Sequence, residues 1–339
     1  MGIFLIKLAT IGTNWITQKF VDAVKKSGKY TFTSVYSRKQ ETGKAFADQN
    51  GVKEVFSDLN LFFKSGNFDT VYIASPNSLH FNQAKLAIQN GKNVIVEKPA
   101  FMNQKQMSDI LEFLKKRPQV KMFEAARNIH TANFQKIASQ VSNMSVIQGA
   151  EFTYSKYSSR YDAVLAGNKP NVFSLKFAGG ALLDLGVYTV YDAVALFGMP
   201  EEVSYHPQLI STGVDGKGTA VLDYDDFTVT LNFSKITNST MTSEIYGLKD
   251  YISIDNAGEI NKVNYIDSAG KTIPISTESH ENSMLPEVLD FARVLSQPNS
   301  SQNQKDYQKW LNLSINVNKL MFNLRQDAHV YFVGEQEQK

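Results

Sequence analysis

Residues 70–99 read TVYIASPNSLHFNQAKLAIQNGKNVIVEKP, and this stretch decides the fold. Residues 70–74 form a short apolar run. Residues 78–89 repeat apolar side chains at helical spacing, and Asn90-Gly91 stops that helix. A second apolar run, residues 93–97, follows at once. A strand, a crossover helix and another strand in so short a span require parallel pairing, with both sheet faces covered.

The same alternation extends outward. Residues 5–11 are strand-like and end at Gly12, and residues 15–26 place Ile16, Phe20, Ala23 and Val24 on one helical face before Ser27-Gly28. Residues 30–36 are β-branched and aromatic, as a second strand should be. Helices are expected over 39–49 and 104–116, and a strand over 120–124. This predicts an α/β chain whose first domain, residues 1–125, is a doubly wound Rossmann sheet. After Arg127 the pattern changes to β-rich runs at 146–157, 218–224, 227–233, 240–247, 251–254 and 261–265, punctuated by turn residues. Residues 126–339 are therefore expected to form an α+β domain with a large, mostly antiparallel open sheet. Two helices, 285–295 and 306–323, close the chain.

Composition narrows the function. The 339 residues exceed what one core usually serves, and 35 basic against 33 acidic residues leave a formal charge of +2 with no basic block. No nucleic-acid partner is expected. The absence of cysteine excludes disulfides, thiolate metal sites and cysteine nucleophiles, and the five histidines show no ligand spacing, so no metal is expected. The first residues carry no basic leader, and Ile6 stands where a myristoylation motif wants Ser or Thr. The most apolar stretch, 178–197, is interrupted by Asp184 and Asp192, which argues against a membrane span. A cytoplasmic protein is expected.

Four segments carry chemistry. The first strand turns into its helix through Gly12-Thr13-Asn14-Trp15-Ile16, where glycine lets a pyrophosphate approach and the helix N-terminus offers free amides. Asn14 takes the place of a second glycine, and asparagine tolerates left-handed backbone better than most residues. Ser75-Pro76-Asn77 with His80, and Glu97-Lys98-Pro99, both sit at carboxyl ends of parallel strands, where open α/β sheets bind ligands. A lysine between Glu97 and Pro99 after an apolar run is poorly placed as a casual surface charge. In Gly179-Gly180-Ala181-Leu182-Leu183-Asp184-Leu185-Gly186-Val187-Tyr188, Asp184 and Tyr188 are spaced to share a helical face. A carboxylate in so apolar a segment needs a partner; a helix cap or a hydrogen bond to the Gly-Gly turn is the bland explanation.

In this order and at these intervals, the four segments resemble the Gfo/Idh/MocA oxidoreductases, the family of glucose-fructose oxidoreductase, inositol dehydrogenase and trans-dihydrodiol dehydrogenase. The resemblance covers nearly the whole chain. It implies a nicotinamide-binding Rossmann domain, followed by an α/β domain whose open sheet builds a homodimer or homotetramer. It implies Lys98, Asp184 and Tyr188 as catalytic residues. It also implies hydride transfer between nicotinamide and a carbinol carbon of a sugar, polyol or related alcohol. Gly12 to Ile16, Ser37, Arg38, Ser75, Pro76, Asn77, His80, Glu97 and Lys98 are then the cofactor-binding set. Either Lys98 or Tyr188 can carry the hydroxyl proton; Lys98 is favoured, with Asp184 orienting the substrate hydroxyl or the acid–base partner. Substrate choice falls to side chains such as Glu124, Arg127, His130, Tyr157 and Arg160; Lys156 and Arg160 read foremost as solvated surface charges, with contact to an acidic or phosphorylated substrate as the alternative. NADP is expected over NAD, because Ser37 and Arg38 follow the second strand where an NAD-specific domain places a carboxylate on the ribose. The competing reading is a cofactor-binding regulator without turnover. A third, an interaction protein using its sheet alone, leaves Lys98, Asp184 and Tyr188 unexplained.

Overall fold

The computed structural model describes residues 5–335, so Met1 to Phe4, on which the leader and myristoylation readings partly rest, lie outside the described residues. The chain divides into two units. One comprises the residues up to Ala125 together with His280–Ser314; the other comprises Ala126–Ser279 with the chain from Ile315 onward.

The first unit is a six-stranded parallel sheet: β1 Ile6–Ile11, β2 Tyr30–Tyr36, β3 Glu54–Phe56, β4 Thr70–Ile73, β5 Asn93–Glu97 and β6 Met122–Ala125. Its order is β3-β2-β1-β4-β5-β6. Helices α1 Trp15–Ser27, α2 Gln40–Asn50, α3 Leu59–Ser65, α4 His80–Gln89 and α5 Gln104–Lys115 make the crossovers. Strand β4 is buried at every position, as a strand covered on both faces must be. Strand β1 pairs with β2 on one side and β4 on the other, so the strand order reverses beside it. Strand β3 and helix α3 went unread in the sequence. Three residues are too few to show a period, and α3 is one short segment whose start is set by Asp58, which accepts from Leu61 N at 2.8 Å.

The second unit holds α6 Ala132–Asn143, α7 Tyr161–Leu165 and α8 Val187–Phe197, with strands β7 Gly149–Ser155, β8 Glu202–Leu209, β9 Asp215–Asp223, β10 Thr228–Ser234, β11 Ser243–Tyr246, β12 Tyr251–Ile254, β13 Val263–Ile266 and β14 Thr272–Pro274. These form one sheet in the order β14-β13-β12-β11-β7-β10-β9-β8. A simple meander does not describe it. Strand β7, first in sequence, inserts between β11 and β10 and runs parallel to β10, while the other pairs are antiparallel. Val229, Leu231 and Phe233 of β10 are buried, and the alternate Thr228, Thr230 and Asn232 face outward. A π-helical turn, Leu182–Gly186, and α8 pack across β7 and β10. Gly186 permits that approach, because a Cβ there would sit 3.0 Å from the Phe233 ring. By length and composition the segment Leu175–Phe197 is apolar enough to cross a membrane, with mean hydropathy 1.4, despite its two aspartates. Most of it is buried within the fold, where it forms part of the core of this unit.

The start of that helical segment is held by a buried carboxylate. Asp215 accepts from Leu182 N at 2.6 Å and from the Tyr205 hydroxyl at 2.7 Å. Gly180, at φ +127°, passes so close that any Cβ would collide with this carboxylate. Burial pushes the Asp215 carboxyl up to about 6, from an ordinary 3.8.

Residues 280–314, expected within the second domain, pack instead with the Rossmann unit. Helix α9 Leu285–Ser296 buries Val288, Phe291 and Ala292 in one cluster with Tyr72, Ile95 and Phe123. Phe291 stacks on Phe123 at 4.6 Å, and the Tyr30 hydroxyl donates to the Val288 carbonyl at 3.1 Å. The first half of α10 Ser301–Asp327 adds Tyr307 and Trp310 to the same cluster. Periodicity in the sequence reports which face of a helix is apolar, not which sheet covers it.

Two outcomes follow. Phe291→Ala should destabilise the protein by about 3–5 kcal/mol in urea unfolding, the usual cost of emptying a buried aromatic site. A loss under ~1 kcal/mol would show that α9 does not close this core. Asp215 binds a proton more tightly when folded, so its contribution is fully present below pH ~4 and is lost as pH rises through about 6. That loss is about 3 kcal/mol. Urea unfolding across this window should show a steeper decline for the native protein than for Asp215→Asn, and parallel pH profiles would refute the assignment.

Candidate active site

In the first unit the site is built on the carboxyl edge of the sheet. Gly12 leaves β1 at φ +113°, and a Cβ there would lie 2.7 Å from the Ala74 carbonyl oxygen, so only glycine fits. Asn14 is not left-handed. It is extended at φ −85°, ψ 179°, and its Oδ1 accepts from Ile16 N and Thr17 N, both at 3.0 Å, while Nδ2 donates to the Ala74 carbonyl at 3.0 Å. Asparagine here is an N-cap that also ties β1 to the end of β4. The cap occupies the Ile16 and Thr17 amides. Among the described residues, the amides of Thr13 and Asn14 have no intramolecular acceptor. With the Gly12 cradle they fit the pyrophosphate of a dinucleotide. Trp15, at the head of α1, is 73% exposed.

After β2, Ser37 N donates to the Phe56 carbonyl at 3.0 Å, and Arg38 and Lys39 project into solvent. No carboxylate occupies this turn.

The turn carrying Lys98 is braced from three sides. Glu97 is buried and accepts a hydrogen bond from the Tyr72 hydroxyl, whose ring stacks on Phe20 at 3.7 Å. His80 is fully buried, with Nε2 2.9 Å from the Ser75 carbonyl and Nδ1 3.1 Å from the Pro99 carbonyl. Burial pushes its pKa below the ordinary histidine range, against the opposing pull of these carbonyls. Glu124 accepts from Ala100 N at 2.9 Å and from the Ser314 hydroxyl. His80 and Glu97, read in the sequence as cofactor contacts, and Glu124, read as a specificity residue, thus all support the turn that presents Lys98. Lys98 itself is half-buried and joined to Pro99 by a cis peptide bond. Ser75 donates to Gln83 Oε1 at 2.7 Å, and Pro76-Asn77 open the short 3₁₀ turn that precedes α4.

In the second unit Asp184 stands on the π-helical turn. Its side chain is 41% exposed, and its carboxylate lies 2.7 Å from Lys235 Nζ. Tyr188, four residues on, is buried, and its hydroxyl accepts from Arg127, whose guanidinium also lies 4.7 Å over the Tyr188 ring. Arg127 in turn meets Glu259 at 3.0 Å, and Glu259 accepts from the Tyr154 hydroxyl at 3.2 Å. The expected common helical face is altered by the π turn, which advances side chains by a wider repeat. Asp192 is structural: it accepts from Asn128 at 2.8 Å, and burial pushes its carboxyl well above the usual range. Tyr157 donates to Asp162 at 2.6 Å, Lys156 and Arg160 are exposed, and His130 is buried. Sequence reasoning missed Lys235. The signal was there in Phe233-Ser234-Lys235-Ile236, a lysine just past the end of a strand, as Lys98 is.

Comparison with known proteins is consistent with both halves. Residues 6–125 match the model described as oxidoreductase family, NAD-binding Rossmann fold, and residues 150–253 match the GFO/IDH/MocA C-terminal domain. The uncharacterized oxidoreductase YgjR of Escherichia coli (strain K12) is 38% identical, covering 86% of this chain and 88% of its own. The scyllo-inositol 2-dehydrogenase (NADP(+)) IolU of Bacillus subtilis (strain 168) is 33% identical, covering 98% of this chain and 100% of its own. Among solved structures, the 3-ketoreductase KijD10 of Actinomadura kijaniata, in complex with NADP and TDP-benzene, superposes with a TM-score of 0.84 at 18% identity, covering 96% and 98% of the two chains. With its Gly12 cradle, its braced Lys98 turn and its mixed eight-stranded sheet, the chain belongs to the GFO/IDH/MocA family and is an NAD(P)-binding oxidoreductase.

Proposed function

We propose that the protein transfers a hydride between NADP(H) and a carbinol carbon of a sugar, polyol or related alcohol. The observation that carries this reading is the Lys98 turn, where buried Tyr72 on β4 and His80 on α4, with half-buried Glu124 on β6, hold one lysine at the carboxyl edge of a parallel sheet. Such an investment in one half-buried amine is expected of a group that moves a proton. The relative named for scyllo-inositol supports a cyclic, polyhydroxylated substrate.

When bound, the nicotinamide ring supplies the hydride chemistry. The Gly12 cradle with the Thr13 and Asn14 amides would hold the pyrophosphate, and Ser37 with Arg38 the 2′-phosphate. Lys98 takes or returns the hydroxyl proton. Asp184 accepts a hydrogen bond from a substrate hydroxyl, and Tyr188, with Arg127 donating to its oxygen, directs its own O–H away from that guanidinium. A regulator without turnover is disfavoured, since Asn14, the one departure in the phosphate turn, has a role as helix cap. The outward face of the second sheet, with Thr228, Thr230 and Asn232 in a row, is assigned to a homo-oligomer.

Steady-state absorbance of the reduced nicotinamide against a panel of cyclitols and aldoses tests the activity. On a true substrate, Lys98→Met should lower turnover by roughly 10²–10⁴, the range of general acid–base catalysis, while cofactor binding by nicotinamide fluorescence stays unchanged. Near-normal turnover in that variant would remove Lys98 from the mechanism. For the cofactor, each charge-assisted bond to the 2′-phosphate contributes about 1.5–3 kcal/mol, or roughly ten- to a hundredfold in affinity. Ser37→Asp combined with Arg38→Ala should therefore invert the preference towards NAD(H), chiefly through KM. Equal affinity of the native protein for NAD(H) and NADP(H) would contradict the assignment.

A further inference from the structure

Lys235 is among the largest fully buried side chains of the chain, only 2% exposed, and an ammonium in such a place must be paired and hydrogen-bonded. Its backbone is pinned at the end of β10: Lys235 N donates to the Gly216 carbonyl at 2.9 Å, and its own carbonyl accepts from Ser158 N at 2.9 Å. The side chain runs inward beside the Phe173 ring, 4.5 Å from its centroid, and donates to the Val172 carbonyl at 3.1 Å. Its anionic partner is Asp184, at 2.7 Å. The two ends of this pair differ sharply, since the Lys235 side chain is 2% exposed and that of Asp184 is 41% exposed.

That asymmetry separates Lys235 from an ordinary core ion pair. A pair built only for stability loses by leaving one member in water, where screening weakens the attraction while the buried member still bears its desolvation cost. Here the enclosed cation grips one side of a carboxylate that is presented outward. The turn carrying it is π-helical, a feature that re-aims side chains and recurs at functional sites. We propose that Lys235 is a positioning residue for the reaction: from behind, it fixes the direction and the negative charge of Asp184, so that this carboxylate accepts the hydrogen bond of a substrate hydroxyl. The inference rests on the assignment of Asp184 to the substrate made above.

A double-mutant cycle in the full-length protein tests it, with Lys235→Met, Asp184→Asn and the double variant measured on the same alcohol. Asp184→Asn should lower kcat/KM for the alcohol by at least ~tenfold, and Lys235→Met should do likewise, with KM for NADP(H) unchanged in both. The double variant should be no worse than Asp184→Asn alone, because Lys235 acts through that carboxylate. A merely structural lysine gives another pattern. Its loss would multiply with that of Asp184→Asn, or would move the cofactor and alcohol constants together, and either result overturns the proposal. If Lys235→Met is as active as the native protein while Asp184→Asn is impaired, the proposal also falls, but the assignment of Asp184 stands. Full activity in Asp184→Asn would instead remove that assignment, and this inference with it. Should Lys235→Met not fold, Lys235→Gln, which keeps a donor but no charge, takes its place with the same outcomes.

Discussion

Parallel strands present all their carboxyl ends along one edge, and the first unit is organised around that constraint. Because β1 pairs with both β2 and β4, the turns that follow these strands emerge together, and Gly12 passes within a backbone's width of Ala74. Asn14 uses the same closeness, capping α1 with one end of its amide and bonding Ala74 with the other. The turn after β5 is set by neighbours on both sides. Tyr72 on β4 holds Glu97, His80 at the start of α4 spans from the Ser75 carbonyl to that of Pro99, and Glu124 on β6 holds Ala100. Lys98 is placed only when all of these elements are assembled, which is why its position is a property of the sheet and not of its own tripeptide.

The second unit meets a different demand, that buried charge be paired. Asp215 takes a helix amide and a phenol, Arg127 takes Glu259 and the Tyr188 hydroxyl, and Lys235 takes Asp184 with a carbonyl and an aromatic face. Most of these groups converge on the segment from Gly179 to Tyr188. Its glycines admit the close approach of Asp215 and Phe233, and its π turn places Asp184 and Tyr188 against separate partners. The apolar residues of the same segment fill the core, so one stretch of chain both anchors the unit and displays its carboxylate.

The amino-acid sequence by itself determined the class of each unit. Strand and helix periods are local, and Gly12, Lys98 and Asp184 stand out because each is an exception to the pattern around it. What the sequence could not decide is anything that depends on which surfaces meet. Strand β7 lies in the middle of its sheet because β10 and β11 pair on either side of it, and no property of residues 149–155 announces that. Helix α9 belongs with the Rossmann core because its apolar face fits Phe123 and Tyr30, some 160 to 260 residues earlier in the chain. His80, Glu97 and Glu124 read as polar groups near a ligand, yet carbonyl, phenol and amide partners make them braces. Lys235 was passed over because a lysine at a strand end is usually solvated. Only the tertiary structure turns it inward, where desolvation obliges it to hold Asp184.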